Sequence, residues 1–323
     1  MKTVFVTHPL PGSRIHELPD HCDMNVWMGP GLLPPAGLRQ ELASAEGLLC
    51  LLTDRIDETL LAANPQLRFI SSMSVGVDHI DMTAATARGI PVGNTPGVLV
   101  DTTADATFAL LLAAARRLIE ADRFVRGGHW SVENAWSPEF FVGKDVAGAT
   151  LGIVGLGAVG QAVARRAAGF GMRVLGWNRS EREIPSVERY ELDALLAESD
   201  FVAVTVALND ETRNLIDARR IALMKSDAVL VNTARGGIVD ESALADALSH
   251  GRLAAAGLDV FAQEPVAADD PLLSLPNVVV SPHIGSATLA TREKMADMAA
   301  ANALAALAGE PMPSCANPEV YAG

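Results

Sequence analysis

The sequence predicts an α/β protein in which parallel sheets are flanked by helices. Short apolar segments of strand length alternate along the chain with segments of helical periodicity, which is the pattern of βαβ units. Hydrophobic residues make up 49% of the chain but aromatic residues only 5%. A core rich in Ala, Leu and Val suits helices packed on a parallel sheet. The length of 323 residues exceeds the usual size of one domain, about 100–200 residues, so two domains are expected.

Strands and helices are expected in both halves of the chain. Before residue 100, the predicted strands are 4–7, 47–53 and 68–72, and the predicted helices are 36–45 and 82–88. A Gly/Pro-rich segment over 89–97 interrupts this pattern. One long helix is then predicted over about 101–126, because Asp101 offers an N-cap oxygen and two glycines end it. Later strands are predicted at 150–155, 173–177, 201–206, 228–233, 255–260 and 278–281, with helices at 161–169 and about 287–308.

The last predicted helix is expected to return the chain to the first domain. That domain would then be discontinuous, formed by residues 1–99 and 287–323, and the second domain would span residues 100–286. Both are expected to be α/β units with parallel sheets.

Charge and cysteine content restrict the partners of this protein. Its formal charge of −14 repels phosphate backbones, so nucleic acid is not expected as a partner. Cys22, Cys50 and Cys315 are far apart and odd in number, which favours a reducing compartment and argues against disulfides or a metal site. The N-terminus has no apolar run of signal-peptide length, and the richest apolar run, 106–115, is too short to span a bilayer. We therefore expect a soluble, cytoplasmic protein that binds neither a membrane nor a metal.

A glycine-rich segment over 151–160 contains a G-x-G-x-x-G pattern between a predicted strand and a predicted helix. Gly155 would permit the tight turn, Gly157 would let the backbone approach a pyrophosphate, and Gly160 would allow close packing of strand and helix. The N-terminus of the helix would bind the phosphates through its N–H groups and its dipole. The alternative is a glycine-rich turn that binds no nucleotide. In this context the pattern predicts a dinucleotide site in a Rossmann-like domain.

The end of the next predicted strand indicates which dinucleotide binds. An NAD site places an acidic residue there, about 20 residues after the glycines, but this chain has Asn178, Arg179 and Ser180. Arg179 could pair with a 2′-phosphate while its two neighbours donate hydrogen bonds. The sequence thus favours NADP(H), with NAD(H) as the alternative cofactor. The other interpretation of Arg179 is a solvated loop residue.

Three later strand ends carry Arg235, Glu264 and His283. An arginine at the carboxyl end of a parallel strand lies where open α/β sheets bind ligands, and it can hold a carboxylate with two hydrogen bonds. Hydride transfer to a carbonyl makes an alkoxide, and histidine can supply the proton that it needs. A carboxylate on the other ring nitrogen would favour the imidazolium. Taken singly, each of these residues is more often structural, and the sequence does not show whether Glu264 contacts His283.

Together and in this order, the segments resemble the D-isomer-specific 2-hydroxyacid dehydrogenase family. The resemblance covers nearly the whole chain and also includes 73–81 and 94–99. Within the family the chain is similar to the glyoxylate/hydroxypyruvate reductases, in the segments 73–76, 101–105, 178–180 and 309–314. The resemblance implies an NAD(P)-dependent enzyme with two Rossmann-like domains. Residues 1–99 and 287–323 would bind the substrate, and residues 100–286 would bind the dinucleotide.

The resemblance also implies roles for matching residues. Arg235 would hold the carboxylate and carbonyl of the substrate, His283 would donate the proton, and Glu264 would be its partner. Backbone N–H groups of Val75 and Gly76 would bind the substrate carboxylate. In a homodimer, Trp136 would reach the substrate site of the other subunit. The further residues implied in cofactor binding are Ala158, Val159, Thr233, Ala234, Asp259 and Gly285.

The chain departs from the family at Ala207, where proline is usual, and at Val100, where threonine is frequent. The leading hypothesis is an NADPH-preferring reduction of glyoxylate or hydroxypyruvate to the D-2-hydroxy acid. One alternative is a reductase of a larger keto acid such as 2-ketogluconate. Another is a non-enzymatic protein that senses NAD(P).

Overall fold

A computed structural model describes residues 2–180 and 183–322. The chain divides into two units, one formed by Met1–Leu99 and Ala287–Gly323 and the other by Val100–Ser286. The division falls at the residues where the sequence predicts it. Which unit binds substrate and which binds the dinucleotide stays a prediction at this stage.

The first unit is built on a parallel sheet with the strand order β2-β1-β3-β4-β5. Its strands are β1 (Thr3–Val6), β2 (Asp23–Val26), β3 (Gly47–Cys50), β4 (Phe69–Ser72) and β5 (Val92–Gly93). Its helices before residue 100 are α1 (Pro35–Leu42), α2 (Glu58–Ala63) and α3 (Met82–Ala87), and a 3-10 helix spans Arg14–Asp20. The predicted strands and helices are present here, with bounds that are shorter or shifted by one residue.

Among the elements of the first unit that lie outside those predicted are the 3-10 helix over Arg14–Asp20, β2, α2 and β5. The edge strand β2 alternates exposed and half-buried residues, because Asp23 and Asn25 interrupt its apolar character. Such a strand has little hydrophobic signal, as is common at a sheet edge. Helix α2 has only six residues and begins at the N-cap Asp57, whose carboxylate accepts a hydrogen bond from the N–H of Leu60 at 2.9 Å.

The second unit is built on a seven-stranded parallel sheet. Its strands are β6 (Thr150–Val154), β7 (Arg173–Trp177), β8 (Glu188–Arg189), β9 (Phe201–Val204), β10 (Val229–Asn232), β11 (Ala255–Leu258) and β12 (Val278–Val280). Its helices are α4 (Val100–Ala115), α5 (Leu118–Arg126), α6 (Ala158–Gly169), α7 (Leu192–Glu198), α8 (Ala218–Ile221), α9 (Glu241–Ser249) and α10 (Pro271–Ser274), with a 3-10 helix over Gly236–Ile238.

The strand order of the second sheet is β12-β11-β10-β9-β6-β7-β8. The chain starts in β6, adds β7 and β8 on one side, and then crosses back to β9 on the other. Open α/β sheets bind ligands at the carboxyl ends of strands near such a reversal. One face of the sheet packs on α7, α8 and α9 and the other on α4 and α6, so both faces are covered. This architecture agrees with the predicted fold class.

The prediction of a single helix over 101–126 is wrong, because the chain forms two helices there. Helix α4 ends at Ala115 and α5 begins at Leu118. Arg117 between them has φ +52°, in the left-handed region. The carbonyl oxygen of Ala115 accepts a hydrogen bond from the N–H of Lys144 at 2.8 Å. A backbone contact from 29 positions later in the chain thus ends α4, and no local sequence signal encodes it.

The last helix, α11 (Leu289–Ala308), belongs to the first unit. It ends at Gly309, which has φ +79°, as predicted from the glycine. The hydroxyl of Ser71 in β4 donates to the carbonyl oxygen of Ala299 at 2.8 Å. The buried residues Ala300 and Ala303 pack in the same cluster as β1 and β3. Helix α11 therefore covers one face of the first sheet, and α1 to α3 cover the other.

Candidate active site

The loop between β6 and α6 carries the glycine pattern, and each glycine there has a separate steric reason. Gly155 has φ +107°, and a Cβ atom on it would lie 2.6 Å from the backbone nitrogen of Val206. A Cβ on Gly160 would lie 2.0 Å from the carbonyl oxygen of Gly155, so glycine lets α6 pack this closely. Gly157 is the N-cap of α6, and a Cβ on it would meet no atom within 4 Å. The open space above Gly157 faces a helix N-terminus, which fits a pyrophosphate.

The residues after β7 are linked to this loop. The side-chain oxygen of Asn178 accepts a hydrogen bond from the N–H of Leu156 at 3.3 Å, and its amide donates to the hydroxyl of Ser180 at 2.9 Å. Arg179 forms an ion pair with Glu211, which lies in the loop after β9. The side chains are 73% and 67% exposed, so the pair contributes little to stability.

Glu211 is a residue that the sequence analysis missed. It lies 32 positions after Arg179, and only the fold brings the two side chains together. No signal near Arg179 in the sequence could have indicated this partner. The carboxylate beside Arg179 therefore comes from another loop.

Strand β10 ends at Asn232, whose buried side chain fixes the following turn. Its oxygen accepts a hydrogen bond from the N–H of Ala234 at 3.0 Å, and its amide donates to the carbonyl oxygen of Arg235 at 2.8 Å. Nη1 of Arg235 donates to the carbonyl oxygen of Ala234 at 2.8 Å. The hydroxyl of the neighbouring Thr233 lies 2.7 Å from that of Thr107. The turn that carries Arg235 is therefore held by side chains on both sides of it, and the predicted cofactor contacts of Thr233 and Ala234 stay predictions.

Asp259, just after β11, is 1% exposed and holds the histidine loop. Its Oδ1 accepts hydrogen bonds from the hydroxyl of Ser281 at 2.6 Å and the N–H of Ile284 at 2.8 Å, and its Oδ2 accepts one from the N–H of Gly285 at 2.7 Å. The N–H of His283 donates to the carbonyl oxygen of Asp259 at 2.8 Å. One buried carboxylate thus fixes the loop over 281–285. The predicted contacts of Asp259 and Gly285 with the cofactor stay predictions.

The structure brings His283 and Glu264 into contact. Nδ1 of His283 lies 2.6 Å from Oε2 of Glu264, and Oε1 of Glu264 accepts a hydrogen bond from the N–H of Phe261 at 2.9 Å. His283 has φ +54°, a conformation that its backbone hydrogen bond to Asp259 helps to hold. The two side chains are 21% and 26% exposed, so the pair lies near the surface of this unit.

The electrostatics of this pair involve Arg235 as well. Burial raises the pKa of Glu264, but hydrogen bonds from His283 and the N–H of Phe261, and the charges of His283 and Arg235, lower it by more. The pKa of Glu264 therefore lies below its ordinary value, and the carboxylate is ionised at neutral pH. The three residues that the sequence analysis singled out act on one another at the carboxyl ends of β10, β11 and β12.

In the first unit, the turn after β4 contains the predicted carboxylate-binding residues Val75 and Gly76. The hydroxyl of Ser74 donates to the carbonyl oxygen of Gly76 at 2.7 Å, and the amide of Asn94 donates to the carbonyl oxygen of Val75 at 3.0 Å. Ser72 and Ser74 are joined by a hydrogen bond of 2.7 Å between their hydroxyls. Both carbonyl groups are thus tied to side chains, which fixes the turn. Binding of a substrate carboxylate by its N–H groups stays a prediction.

Helix α5 and the loop after it expose apolar side chains. None of the α5 residues is buried, and Leu118 and Val125 are 51% and 50% exposed. In the loop, Trp130, Val132 and Trp136 are 62%, 97% and 79% exposed. Exposed apolar surface of this extent is typical of a protein interface.

None of the helices in the described residues combines the length and the apolar character needed to cross a membrane. Within 2–180 and 183–322, no group of three or more His, Cys, Asp or Glu side chains is placed to hold a metal ion. Cys22, Cys50 and Cys315 are free thiols.

Comparisons with known proteins agree on one family. The family model described as "D-isomer specific 2-hydroxyacid dehydrogenase, NAD binding domain" matches residues 108–285. The chain is 48% identical to a glyoxylate reductase of Korarchaeum cryptofilum, with 98% of this chain and 96% of that protein covered. It is also 48% identical to a glyoxylate reductase of Thermococcus kodakarensis, with the same coverage.

A solved structure gives a similar result. The NADPH-dependent glyoxylate/hydroxypyruvate reductase of Sinorhizobium meliloti, crystallised with NADP and malonate, superposes with a TM-score of 0.87. It is 31% identical in sequence, and the alignment covers 98% of this chain and 97% of that one.

Proposed function

Because the chain belongs to the D-isomer-specific 2-hydroxyacid dehydrogenase family, we propose that it reduces glyoxylate and hydroxypyruvate with NADPH. It is an NAD(P)-dependent oxidoreductase of small 2-keto acids, and not the non-enzymatic sensor considered above. The choice of substrate is supported by its relatives, which are named glyoxylate reductases. The observation that carries the proposal is the 2.6 Å contact between His283 and Glu264, with the charge of Arg235 acting on the same carboxylate.

In this proposal His283 is the proton donor. Its Nδ1 is bound to Glu264, so Nε2 is the atom that delivers the proton to the carbonyl oxygen of the substrate. When bound, the reduced nicotinamide supplies the hydride that adds to the carbonyl carbon. The C=O π bond is replaced by one C–H and one O–H bond, which gives the 2-hydroxy acid. Ionised Glu264 favours the charged imidazole before transfer and orients the ring.

Arg235 anchors the substrate in this proposal. Its guanidinium can hold the carboxylate and polarise the carbonyl oxygen through charge-assisted hydrogen bonds. In an acidic protein with a net charge of −14, an anionic substrate needs such a local cation. We assign the N–H groups of Val75 and Gly76 to the same carboxylate, and this assignment rests on the family resemblance.

The glycine loop and the end of β7 fit a dinucleotide. The space above Gly157 and the N-terminus of α6, where Ala158 and Val159 begin the helix, suit the pyrophosphate. Asn178, Arg179 and Ser180 would hold the 2′-phosphate of NADP. Support for NADPH comes from the lack of a carboxylate among these three residues and from the Sinorhizobium meliloti enzyme, which is named as NADPH-dependent.

We also propose a homodimer in the cytoplasm. The exposed apolar side chains of α5 and its following loop support self-association. Trp136, which is 79% exposed, is assigned to the substrate site of the second subunit by resemblance. The three free thiols are consistent with a reducing compartment.

The test is the loss of NADPH absorbance when glyoxylate, hydroxypyruvate or 2-ketogluconate is added to the purified protein, repeated with NADH. We expect the highest kcat/KM with NADPH and one of the two small acids. Arg235→Lys should raise the KM for the keto acid sharply while NADPH still binds, because lysine loses the planar fork. A preference for 2-ketogluconate would contradict the proposed substrate, and unchanged kcat/KM in Arg235→Lys would contradict the anchor.

A further inference from the structure

Two successive peptide N–H groups, those of Phe261 and Ala262, are each held by a different carboxylate. The N–H of Phe261 donates to Oε1 of Glu264 at 2.9 Å, and the next N–H, of Ala262, donates to Oε1 of Glu241 at 2.6 Å. Glu241 is the first residue of α9, 21 positions before Ala262. The other oxygen of Glu264 binds His283. The loop that carries Glu264 is thus attached to a helix of the same unit.

The peptide that joins Phe261 to Ala262, held by Glu241, also contacts the turn after Arg235. A Cβ atom on Gly236 would lie 1.8 Å from the carbonyl carbon of Phe261 and 2.0 Å from the nitrogen of Ala262. The backbone next to Arg235 therefore packs directly on this peptide. Any shift of the peptide changes the position of Glu264 relative to Arg235.

We propose that Glu241 is a positioning residue for the reaction: its carboxylate holds the N–H of Ala262 and so fixes Glu264 against His283. The proposal rests on the function proposed above, in which His283 delivers the proton. The Glu241 carboxylate faces the acidic groups Asp270, Glu264 and Asp240. The charged groups that act on Glu264 are His283 and Arg235.

The acidic surroundings of Glu241 indicate that its hydrogen bond to Ala262, and not its negative charge, is the property that matters for the site. Burial, and then the charges of Asp270, Glu264 and Asp240, raise the pKa of Glu241, whereas the bond from the N–H of Ala262 lowers it. A carboxylate at this position is disfavoured by burial and by its acidic neighbours, and the hydrogen bond from Ala262 compensates for only part of that cost. Substitutions should therefore test whether the side chain is long enough to accept the hydrogen bond from Ala262, separately from whether it is charged.

Two substitutions of Glu241 separate the effect of side-chain length from the effect of charge. Glu241→Gln keeps an oxygen that can accept from Ala262 but loses the charge, whereas Glu241→Asp keeps the charge and is one methylene too short. We expect Glu241→Asp and Glu241→Ala to lower kcat by about tenfold to a hundredfold, as small misplacements of catalytic groups do. The basic limb of the reduction profile should move to lower pH in both, because Glu264 no longer supports the charged imidazole. Glu241→Gln should stay close to the wild type in both respects.

Asp240→Ala is the matched control. Asp240 caps α9 by accepting the N–H of Ala243 at 3.0 Å, so its loss weakens the same helix without touching Ala262. We expect a lower melting temperature but an unmoved pH profile. If Asp240→Ala moves the profile as Glu241→Asp does, the effect of Glu241 is only helix stability and the proposal is wrong.

Variants at the site itself separate this inference from the proposed function. His283→Ala and Glu264→Gln are measured in the same assay. If both keep the wild-type rate, the proposed function fails. If both are impaired while Glu241→Asp keeps the wild-type kcat and pH profile, only the role of Glu241 is overturned. If Glu241→Ala does not fold, the comparison of Glu241→Asp with Glu241→Gln still tests the role proposed for Glu241.

Discussion

At the scale of single residues, the contact between Nδ1 of His283 and Glu264 sets the expected pH dependence. Reduction needs protonated His283, and the ionised carboxylate favours that form. Glu264→Gln keeps an acceptor for the N–H of Phe261 but removes the charge. The basic limb of the kcat profile for reduction should therefore move toward lower pH. His283→Ala should lose roughly 10²–10⁴-fold in kcat, the usual contribution of general acid catalysis, while NADPH still binds.

A purely structural histidine would give a different result. In that case a well-folded Glu264→Gln protein keeps an unshifted profile, whatever its melting temperature. The folded state also lowers the pKa of Glu264, so ionised Glu264 stabilises the fold at neutral pH, and this contribution is lost as the pH falls through the lowered pKa. The difference in melting temperature between wild type and Glu264→Gln should thus be largest near neutral pH and shrink on acidification.

The ion pair of Arg179 with Glu211 gives a prediction about cofactor choice. Arg179→Asp should repel the 2′-phosphate and shift the preference toward NADH. Glu211→Gln should free Arg179 for the phosphate and tighten NADPH binding, by at most about fivefold, since exposed ion pairs are weak. Dissociation constants for both cofactors test this. A wild-type enzyme that already prefers NADH would contradict the role of Arg179.

Residues at strand ends could be predicted from the sequence, whereas Glu211 and Glu241, which contact the loops after those strands, could not. Arg235, Glu264 and His283 each follow an apolar strand, and the carboxyl ends of parallel strands meet at one edge. No sequence pattern of this kind indicates a role for Glu211 or Glu241. One lies in a polar loop and the other in the first turn of a helix, where glutamate is common. Only the folded chain places them beside Arg179 and Ala262.

At the scale of elements, the packing of α6 on β6 gives a prediction about glycine. Gly160→Ala would place a Cβ 2.0 Å from the carbonyl oxygen of Gly155, and relief requires the helix to move. We expect a loss of about 1–3 kcal/mol in the free energy of unfolding, as in other overpacked sites, and weaker NADPH binding. Denaturant unfolding and cofactor titration measure both.

Gly169, at the other end of the same helix, is the control. A Cβ there would meet no atom within 4 Å, so Gly169→Ala should be neutral or stabilise by about 0.5–1 kcal/mol. Equal effects at the two positions would mean that the glycine loop tolerates a side chain.

Elements with a strong apolar pattern were predicted, and those defined by distant contacts were not. The strand over Arg173–Trp177 has the predicted bounds. The break between α4 and α5 depends on the hydrogen bond from Lys144 to Ala115, which periodicity cannot reveal. Strand β2 depends on pairing with β1 rather than on its own composition.

At the scale of the whole molecule, the exposed apolar residues of α5 and its loop predict a homodimer. Sedimentation at micromolar concentration should give about twice the chain mass of 33.9 kDa. Replacing both Leu118 and Val125 with Ser should shift the protein toward monomer. Leu273→Ser, at an apolar residue of α10 that is 36% exposed, should leave the dimer intact. A wild-type monomer at that concentration contradicts the prediction.

The position of α11 in the chain also determines the order in which the two units can fold during translation. Val4, Val6 and Leu49 of the first sheet are covered by Ala300 and Ala303, which the ribosome adds some 250 residues after Leu49. This apolar face therefore stays open to solvent and to chaperones for most of translation. Residues 100–286 form a continuous unit that can fold before the first one closes. A fragment of residues 1–286, which lacks α11, should accordingly be cut by protease within residues 1–99 and be resistant within 100–286; the reverse pattern would contradict this order.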